Sequence, residues 1–93
     1  MSIDRVAAIR SRLFEALAPE ELDVIDESHL HAGHAGARDG RGHFRVRLVA
    51  NAFSALPLIR RHQLVYAALG DLMQTDIHAL AIETRAPGES ARP

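Results

Sequence analysis

The stretch HFRVRLVAN, residues 43–51, decides the fold because it is the clearest β-strand signal in the chain. Apolar residues alternate here with one histidine and two arginines, and a period of two is typical of a strand with one buried face. Such a strand belongs in a sheet that is covered by helices on one side only. The buried face is predicted to carry Phe44, Val46 and Leu48, and the opposite face His43, Arg45 and Arg47.

The chain before this strand predicts one helix and one further strand. Apolar residues recur at spacings of three and four over residues 3–17, which indicates an amphipathic helix with Phe14 beside its apolar stripe. Ser2 is the expected N-cap, and Pro19 should end the helix near residue 18. Residues 22–28 alternate in polarity, as a strand with one drier face would.

The chain after the central strand predicts a second helix and a third strand. Pro57 suits the first turn of a helix that should end near Met73, with Leu58 and Ile59 in its buried stripe. Residues 77–84 read as a strand. On one side of this strand we expect His78, Leu80, Ile82 and Thr84.

The predicted order is therefore helix, strand, strand, helix, strand within a single domain that spans residues 1–93. It favours an α+β two-layer sandwich, in which a three-stranded mixed sheet carries both helices on one face. Residues 29–42 contain four glycines and three histidines without an apolar period, which predicts a long mobile loop. Residues 86–93 are expected to form a frayed tail.

Composition excludes several classes of function. The chain has no cysteine, so it offers no thiolate ligand, nucleophile or disulfide. Its net charge of −1 gives no overall attraction to nucleic acid or anionic lipid. No apolar run approaches a membrane span, and the first residues lack a secretory layout, so the cytosol is the expected compartment. Phosphate-binding and nucleophile-elbow motifs are absent, which argues against an enzyme.

Two groups of side chains stand out as candidate sites. Imidazole is a common ligand of zinc, iron, copper and nickel, so the loop histidines are either solvated or metal-binding. The basic group is either a solvated helix start or a surface for an acidic partner or nucleic acid. The first group comprises His29, His31 and His34, and the second Arg60, Arg61 and His62, to which Arg45 and Arg47 would add from the sheet.

Several short motifs follow one another in an order and spacing that resemble the BolA family over roughly residues 5–85. The resemblance implies a fold similar to the type II KH domain. Each motif alone is weak, but together they are specific. They are Asp26-Glu27-Ser28, His31-Ala32-Gly33-His34, His43-Phe44-Arg45-Val46, Phe53, Arg61-His62-Gln63-Leu64-Val65-Tyr66 and Ile77-His78-Ala79-Leu80-Ala81-Ile82.

The same resemblance implies a partner and a cofactor. Family members form heterodimers with monothiol glutaredoxins that bridge a [2Fe–2S] cluster, to which glutaredoxin and glutathione supply thiolates. The BolA side supplies a histidine at a strand start, which is His78 here, and a histidine or cysteine from the loop. His31 is the best positional match for the loop ligand, and His34 is the alternative. The isolated protein is then expected to hold no cofactor.

The resemblance thus favours an iron–sulfur adapter or regulator that acts in cluster trafficking or in iron and redox regulation. The alternative is a transcriptional regulator that binds nucleic acid, with weak affinity for DNA, through its KH-like fold. Gln63 stands where arginine is usual in the family, which weakens the basic patch. The free protein is expected to be a monomer or a weak dimer.

Overall fold

The computed structural model describes residues 4–31 and 40–90, and of residues 30 and 31 it describes the backbone alone. Three strands, two longer helices and one single-turn helix follow in the predicted order, with two short 3₁₀ helices between them. The helices and strands are α1 (Arg5–Leu17), β1 (Glu21–Asp26), β2 (Gly42–Val49), α2 (Leu58–Leu69), α3 (Leu72–Thr75) and β3 (Ile77–Arg85). The 3₁₀ helices are Ser28–His31 and Asn51–Phe53.

The sheet has the order β1-β2-β3, so β2 is the central strand. β1 pairs antiparallel to β2, and β3 pairs parallel to β2 after the helical crossover. The predicted α+β fold with a three-stranded mixed sheet is therefore confirmed. The likeness to a type II KH domain stays a prediction.

The core lies between the helices and one face of the sheet. Phe44, Val46 and Leu48 of β2 are exposed by 2% or less, as their alternation predicted. The two longer helices pack against each other and cover this face. Their buried contributions are Ile9, Leu13 and Leu17 from α1 and Val65 and Leu69 from α2.

The predicted start of the first helix was wrong. Asp4 is the N-cap of α1, since its side chain accepts a hydrogen bond of 3.1 Å from the N–H of Ala7. Ser2 lies outside the described residues. The helix ends at Leu17, where Ala18 adopts a left-handed conformation with φ 44° and its N–H donates to the carbonyl of Phe14. The Phe14 side chain is 53% exposed, so it lies outside the buried stripe.

The second helix ends earlier than the sequence predicted. α2 stops at Leu69 because Gly70, at φ 55°, caps it, and the chain to Met73 and beyond forms the separate short helix α3. Leu58 and Ile59 were predicted to be buried, but they are 51% and 67% exposed. The first turn of α2 lies beside β3 rather than over the core, and Leu58 lines a groove there.

The structure describes the chain after β3 as far as residue 90, and residues 91–93 of the predicted frayed tail lie outside the described residues. Ala86 is only 5% exposed, and its N–H donates to the carboxylate of Glu89 over 2.9 Å. Both carboxylate oxygens of Glu89 also accept from Arg61, at 2.6 and 2.8 Å. Over the described residues, no helix combines the length and the apolar character that a membrane span needs.

Replacement of Leu13 by alanine should test this core. Leu13 is fully buried, so Leu13→Ala should lower the free energy of unfolding by about 2–5 kcal/mol in urea denaturation. Leu58→Ala is the matched control, because the half-exposed side chain should cost less than about 0.5 kcal/mol. Equal losses in the two variants would contradict the described packing.

Candidate functional site

One end of the sheet gathers the starts of two strands and the end of the third, and we call it the histidine end. β2 begins there at Gly42, β3 begins at Ile77, and β1 ends at Asp26. These points coincide because β1 runs antiparallel to β2 whereas β3 runs parallel to it. The predicted strand histidine, His78, is the second residue of β3 and lies at this end.

A β-bulge sets the direction of His78. Gly42 pairs with Ile77, but the next residue, His43, pairs with Ala79, so His78 is an extra residue on β3. As a result Ile77 is buried at 1% exposure, whereas His78 is exposed. The sequence had placed His78 on the same side as Leu80. That prediction was wrong because the bulge breaks the alternation.

His78 lies against a second histidine that sequence reasoning did not single out. The ring centroids of His43 and His78 are 5.2 Å apart, and the ring planes are tilted by 52°. The sequence placed His43 on the polar face of β2. It gave no sign of the bulge that turns His78 toward that face.

Arg41 approaches the same pair of rings. Its Nη2 lies 3.3 Å from Nδ1 of His78. A guanidinium only donates hydrogen bonds, so Nδ1 of His78 is the atom that can accept in this contact. The exposed end of the site therefore holds two imidazoles and one fixed positive charge.

The Asp26-Glu27-Ser28 motif positions the backbone that carries His43. We call the hydrogen-bonded residues Asp26, Ser28, Gly42, His43 and Asp76 the frame of the histidine end. Asp26 Oδ1 accepts from the N–H of Ser28 at 2.9 Å, and Ser28 Oγ accepts from the N–H of His43 at 3.0 Å. Burial acts to raise the pKa of Asp26, but the hydrogen bonds from Ser28 and the charges of His29 and Arg5 hold that pKa below its usual 3.8. Ser28 thus fixes the end of β1 to the backbone of His43.

Gly42 allows Ser28 and the ring of Phe44 to pack directly against the start of β2. A Cβ at Gly42 would lie 2.6 Å from the ring of Phe44 and 2.7 Å from Ser28 Oγ, distances that real Cβ atoms do not show. The N–H of Gly42 also donates to the carbonyl of Asp76 at 2.9 Å, which joins β2 to the turn before β3. Glycine is therefore required by close approach at the start of β2.

Asp76 anchors the start of β3 on the other side of the frame. Its carboxylate accepts from Thr75 Oγ1 at 2.7 Å and from Nε of Arg5 at 3.0 Å. These two hydrogen bonds, that from Thr75 first, hold the pKa of Asp76 below its usual value. Helix α1 is thereby tied to the residue that stands two positions before His78.

The predicted loop ligands fall at the margin of the described residues. His29 is exposed, and His31 ends the 3₁₀ helix that begins at Ser28, so its backbone lies near the histidine end. His34 lies outside the described residues. Among the side chains that the structure describes, in residues 4–29 and 40–90, no group of three or more histidines and carboxylates is placed to hold a metal ion.

The predicted basic residues do not form one surface. A groove of about 580 Å³ runs between β3 and the start of α2, and we call it the β3 groove; its lining includes Arg45, Leu58, Arg61, His62, Thr84 and Arg85. Arg61 is largely buried, since its side chain is 11% exposed, and Nε donates to the carbonyl of Leu56 at 2.8 Å. Hydrogen bonding to Glu89 raises the pKa of Arg61.

The other predicted arginines lie outside this groove or are already paired. Arg45 forms an ion pair of 3.0 Å with Glu27, and Arg47 forms one of 3.4 Å with Glu83 beside a second, smaller cavity. Arg60 is exposed on α2. The structure therefore brings Arg45, Arg61 and His62 together but not Arg47 or Arg60.

Comparison with known proteins gives a consistent result. The family model described as BolA-like protein matches residues 13–89. The human BolA-like protein 1 is 45% identical over 83 residues, which cover 89% of this chain and 58% of the human protein. The DNA-binding transcriptional regulator BolA of Escherichia coli is 37% identical over 76 residues, which cover 82% of this chain and 70% of that protein.

The fold is similar to solved structures as well. The BolA domain of SufE1 from Arabidopsis thaliana superposes with a TM-score of 0.82 at 38% identity, covering 97% of this chain and all of that domain. The sequence matches cover little more than half of the length of two relatives. They cover 58% of the human protein and 56% of the chloroplastic BOLA1 protein of Arabidopsis thaliana.

The hydrogen bond from His43 to Ser28 can be tested by replacement. Ser28→Ala leaves the N–H of His43 without this acceptor, so the free energy of unfolding should fall by about 1 kcal/mol. Hydrogen exchange at the His43 amide should also become faster. Ser54→Ala, at an exposed turn, is the control and should change neither quantity. Unaltered exchange at His43 in Ser28→Ala would contradict the frame described above.

Proposed function

The chain belongs to the BolA-like protein family, and from that premise we propose that it is an iron–sulfur adapter. In this proposal it forms a heterodimer with a monothiol glutaredoxin across a [2Fe–2S] cluster. The cluster is the cargo of the pair, and the isolated chain holds none. The observation that carries the proposal is His78, an exposed imidazole that a β-bulge turns outward at the start of β3.

The donor atoms at the histidine end fit such a cluster. Imidazole nitrogen is an established ligand of [2Fe–2S] iron, and it replaces thiolate in Rieske centres. The chain has no cysteine, so glutaredoxin and glutathione would supply the thiolates. When bound, a cluster with two imidazole ligands carries less negative charge and has a higher reduction potential than one with four thiolates.

The second ligand is proposed to come from the loop. The 3₁₀ helix from Ser28 to His31 starts at the residue whose Oγ accepts from the N–H of His43. This contact brings the backbone of His31 toward the histidine end, which supports His31 as the loop ligand. His34 is the alternative loop ligand.

The names of these relatives describe no catalytic activity. They are called BolA-like proteins or, in Escherichia coli, a transcriptional regulator. We propose cluster trafficking or iron and redox regulation rather than catalysis by this chain. The cytoplasm is the proposed compartment, although plant relatives are named as chloroplastic.

Regulation through nucleic acid is the second candidate function. The relative in Escherichia coli is named as DNA-binding, and three arginines and one histidine line the β3 groove of this chain. Nε2 of His62 and Oγ1 of Thr84 are buried there without a hydrogen-bond partner among the described residues. Glu83 and Glu89 also line the groove, so three arginines stand against two glutamates, and the two buried polar atoms give it unused hydrogen-bonding capacity.

Anaerobic cluster reconstitution tests the leading proposal. The protein is mixed with a monothiol glutaredoxin and glutathione, and the cluster is followed by visible absorption and circular dichroism. The expected result is a spectrum distinct from that of glutaredoxin alone, which His78→Ala abolishes because the strand ligand is lost. His31→Ala should weaken it, and His34→Ala separates the two loop candidates.

The matched control is His29→Gln, which removes an exposed histidine that we do not assign to the cluster. It should preserve the heterodimer spectrum. A spectrum that stays unchanged in His78→Ala, with the fold intact by far-ultraviolet circular dichroism, would refute the adapter proposal.

Salt dependence tests the second candidate. The logarithm of the binding constant for a fluorescent DNA duplex should fall linearly with the logarithm of the salt concentration. The expected slope is about −0.9 for each phosphate contact. Arg45→Gln should reduce the magnitude of this slope by about 1, because Arg45 lines the β3 groove. The control is Arg10→Gln, on α1 and outside the groove. If both variants have the same slope, the groove is not the DNA site.

A further inference from the structure

The two rings at the histidine end have the spacing of a metal chelate. Their centroids are 5.2 Å apart. A metal ion binds imidazole nitrogen at about 2.0–2.1 Å, and the nitrogen lies about 1 Å from the ring centre. Two imidazoles on one tetrahedral ion therefore have ring centres about 5 Å apart. The 5.2 Å separation of the ring centroids is close to this value.

The backbone is arranged to produce this spacing. His43 and His78 lie on neighbouring strands, and the β-bulge makes His78 an extra residue opposite the Gly42–His43 step. Bulges re-aim side chains, and here the bulge turns His78 out of the core and toward His43. Ser28 Oγ accepts a hydrogen bond from the N–H of His43, and the carbonyl of Asp76 accepts one from the N–H of Gly42. Both rings are thus carried by fixed backbone.

We propose that His43 and His78 together bind one divalent late transition-metal ion, such as Co²⁺, Ni²⁺ or Zn²⁺, on this chain alone. Water completes the coordination. Such ions accept imidazole nitrogen readily. The site goes beyond the proposed heterodimer because it needs neither glutaredoxin nor glutathione. Nε2 of His43 is buried, so we assign Nδ1 of that ring to the metal.

Arg41 competes with the ion for the same place. Its Nη2 lies 3.3 Å from Nδ1 of His78, and its positive charge repels a divalent cation there. Metal binding therefore requires the Arg41 side chain to rotate away from the ring. Replacement of Arg41 should therefore raise the affinity for the metal ion, whereas loss of a histidine ligand should lower it.

The test uses tag-free protein and Co²⁺, followed by visible absorption and by isothermal titration. One equivalent should bind to the wild-type chain. His43→Gln and His78→Gln should each weaken that binding by about tenfold or more, since each removes one of two ligands. The matched control removes the remaining sequence candidates together, as His29→Gln, His31→Gln and His34→Gln, and should keep the one-equivalent site.

Arg41→Gln keeps the proposal testable if His43→Gln disturbs the fold. It should tighten Co²⁺ binding by about fivefold, because it removes a unit charge close to the ion. Binding that survives in His43→Gln but disappears in the triple loop variant would overturn the proposal, as would no binding to the wild-type chain. Cluster transfer to or from glutaredoxin is read separately, so either proposal can fail without the other.

Discussion

The pairing of β2 on both of its edges is the constraint on which the rest of this structure depends. β2 receives β1 along one edge and β3 along the other, so its alternation decides which face of the whole sheet is apolar. Phe44, Val46 and Leu48 bury one face and leave the other to histidine and arginine. A shift of one residue would exchange the two faces, and the core would lose all three side chains at once. In the observed register the helices cover a single apolar face of the sheet.

Most of the fold could be predicted because it follows from periodicity. Alternation in β2 and the spacing of Ile9, Leu13 and Leu17 in α1 gave the sheet face and the helix face that pack together. The errors lie where a local backbone choice competes with the pattern. Gly70 ends α2 before the apolar pattern ends, and the first turn of that helix leaves Leu58 exposed beside the β3 groove.

The site was less predictable than the fold for a related reason. His78 was identified through its motif, but the face of β3 on which it lies depends on a bulge that no residue type in the sequence indicates. His43 therefore looked like an ordinary polar-face residue of β2. Ser28 and Gly42 are similar, because their roles arise from contacts between segments that are distant in sequence. Such contacts become visible only when the strands are brought together.

The parallel pairing of β2 and β3 also has a consequence for folding. Parallel strands need a crossover, so the contact between His43 and His78 closes a segment of chain that contains α2 and α3. Closing a long segment costs conformational entropy, so contacts of this kind slow folding relative to local ones. A ligand held by both rings would bind the folded chain and not the unfolded one, and would therefore slow the loss of β3 from the sheet. Such a ligand would link the central strand of the sheet to the strand that follows the crossover.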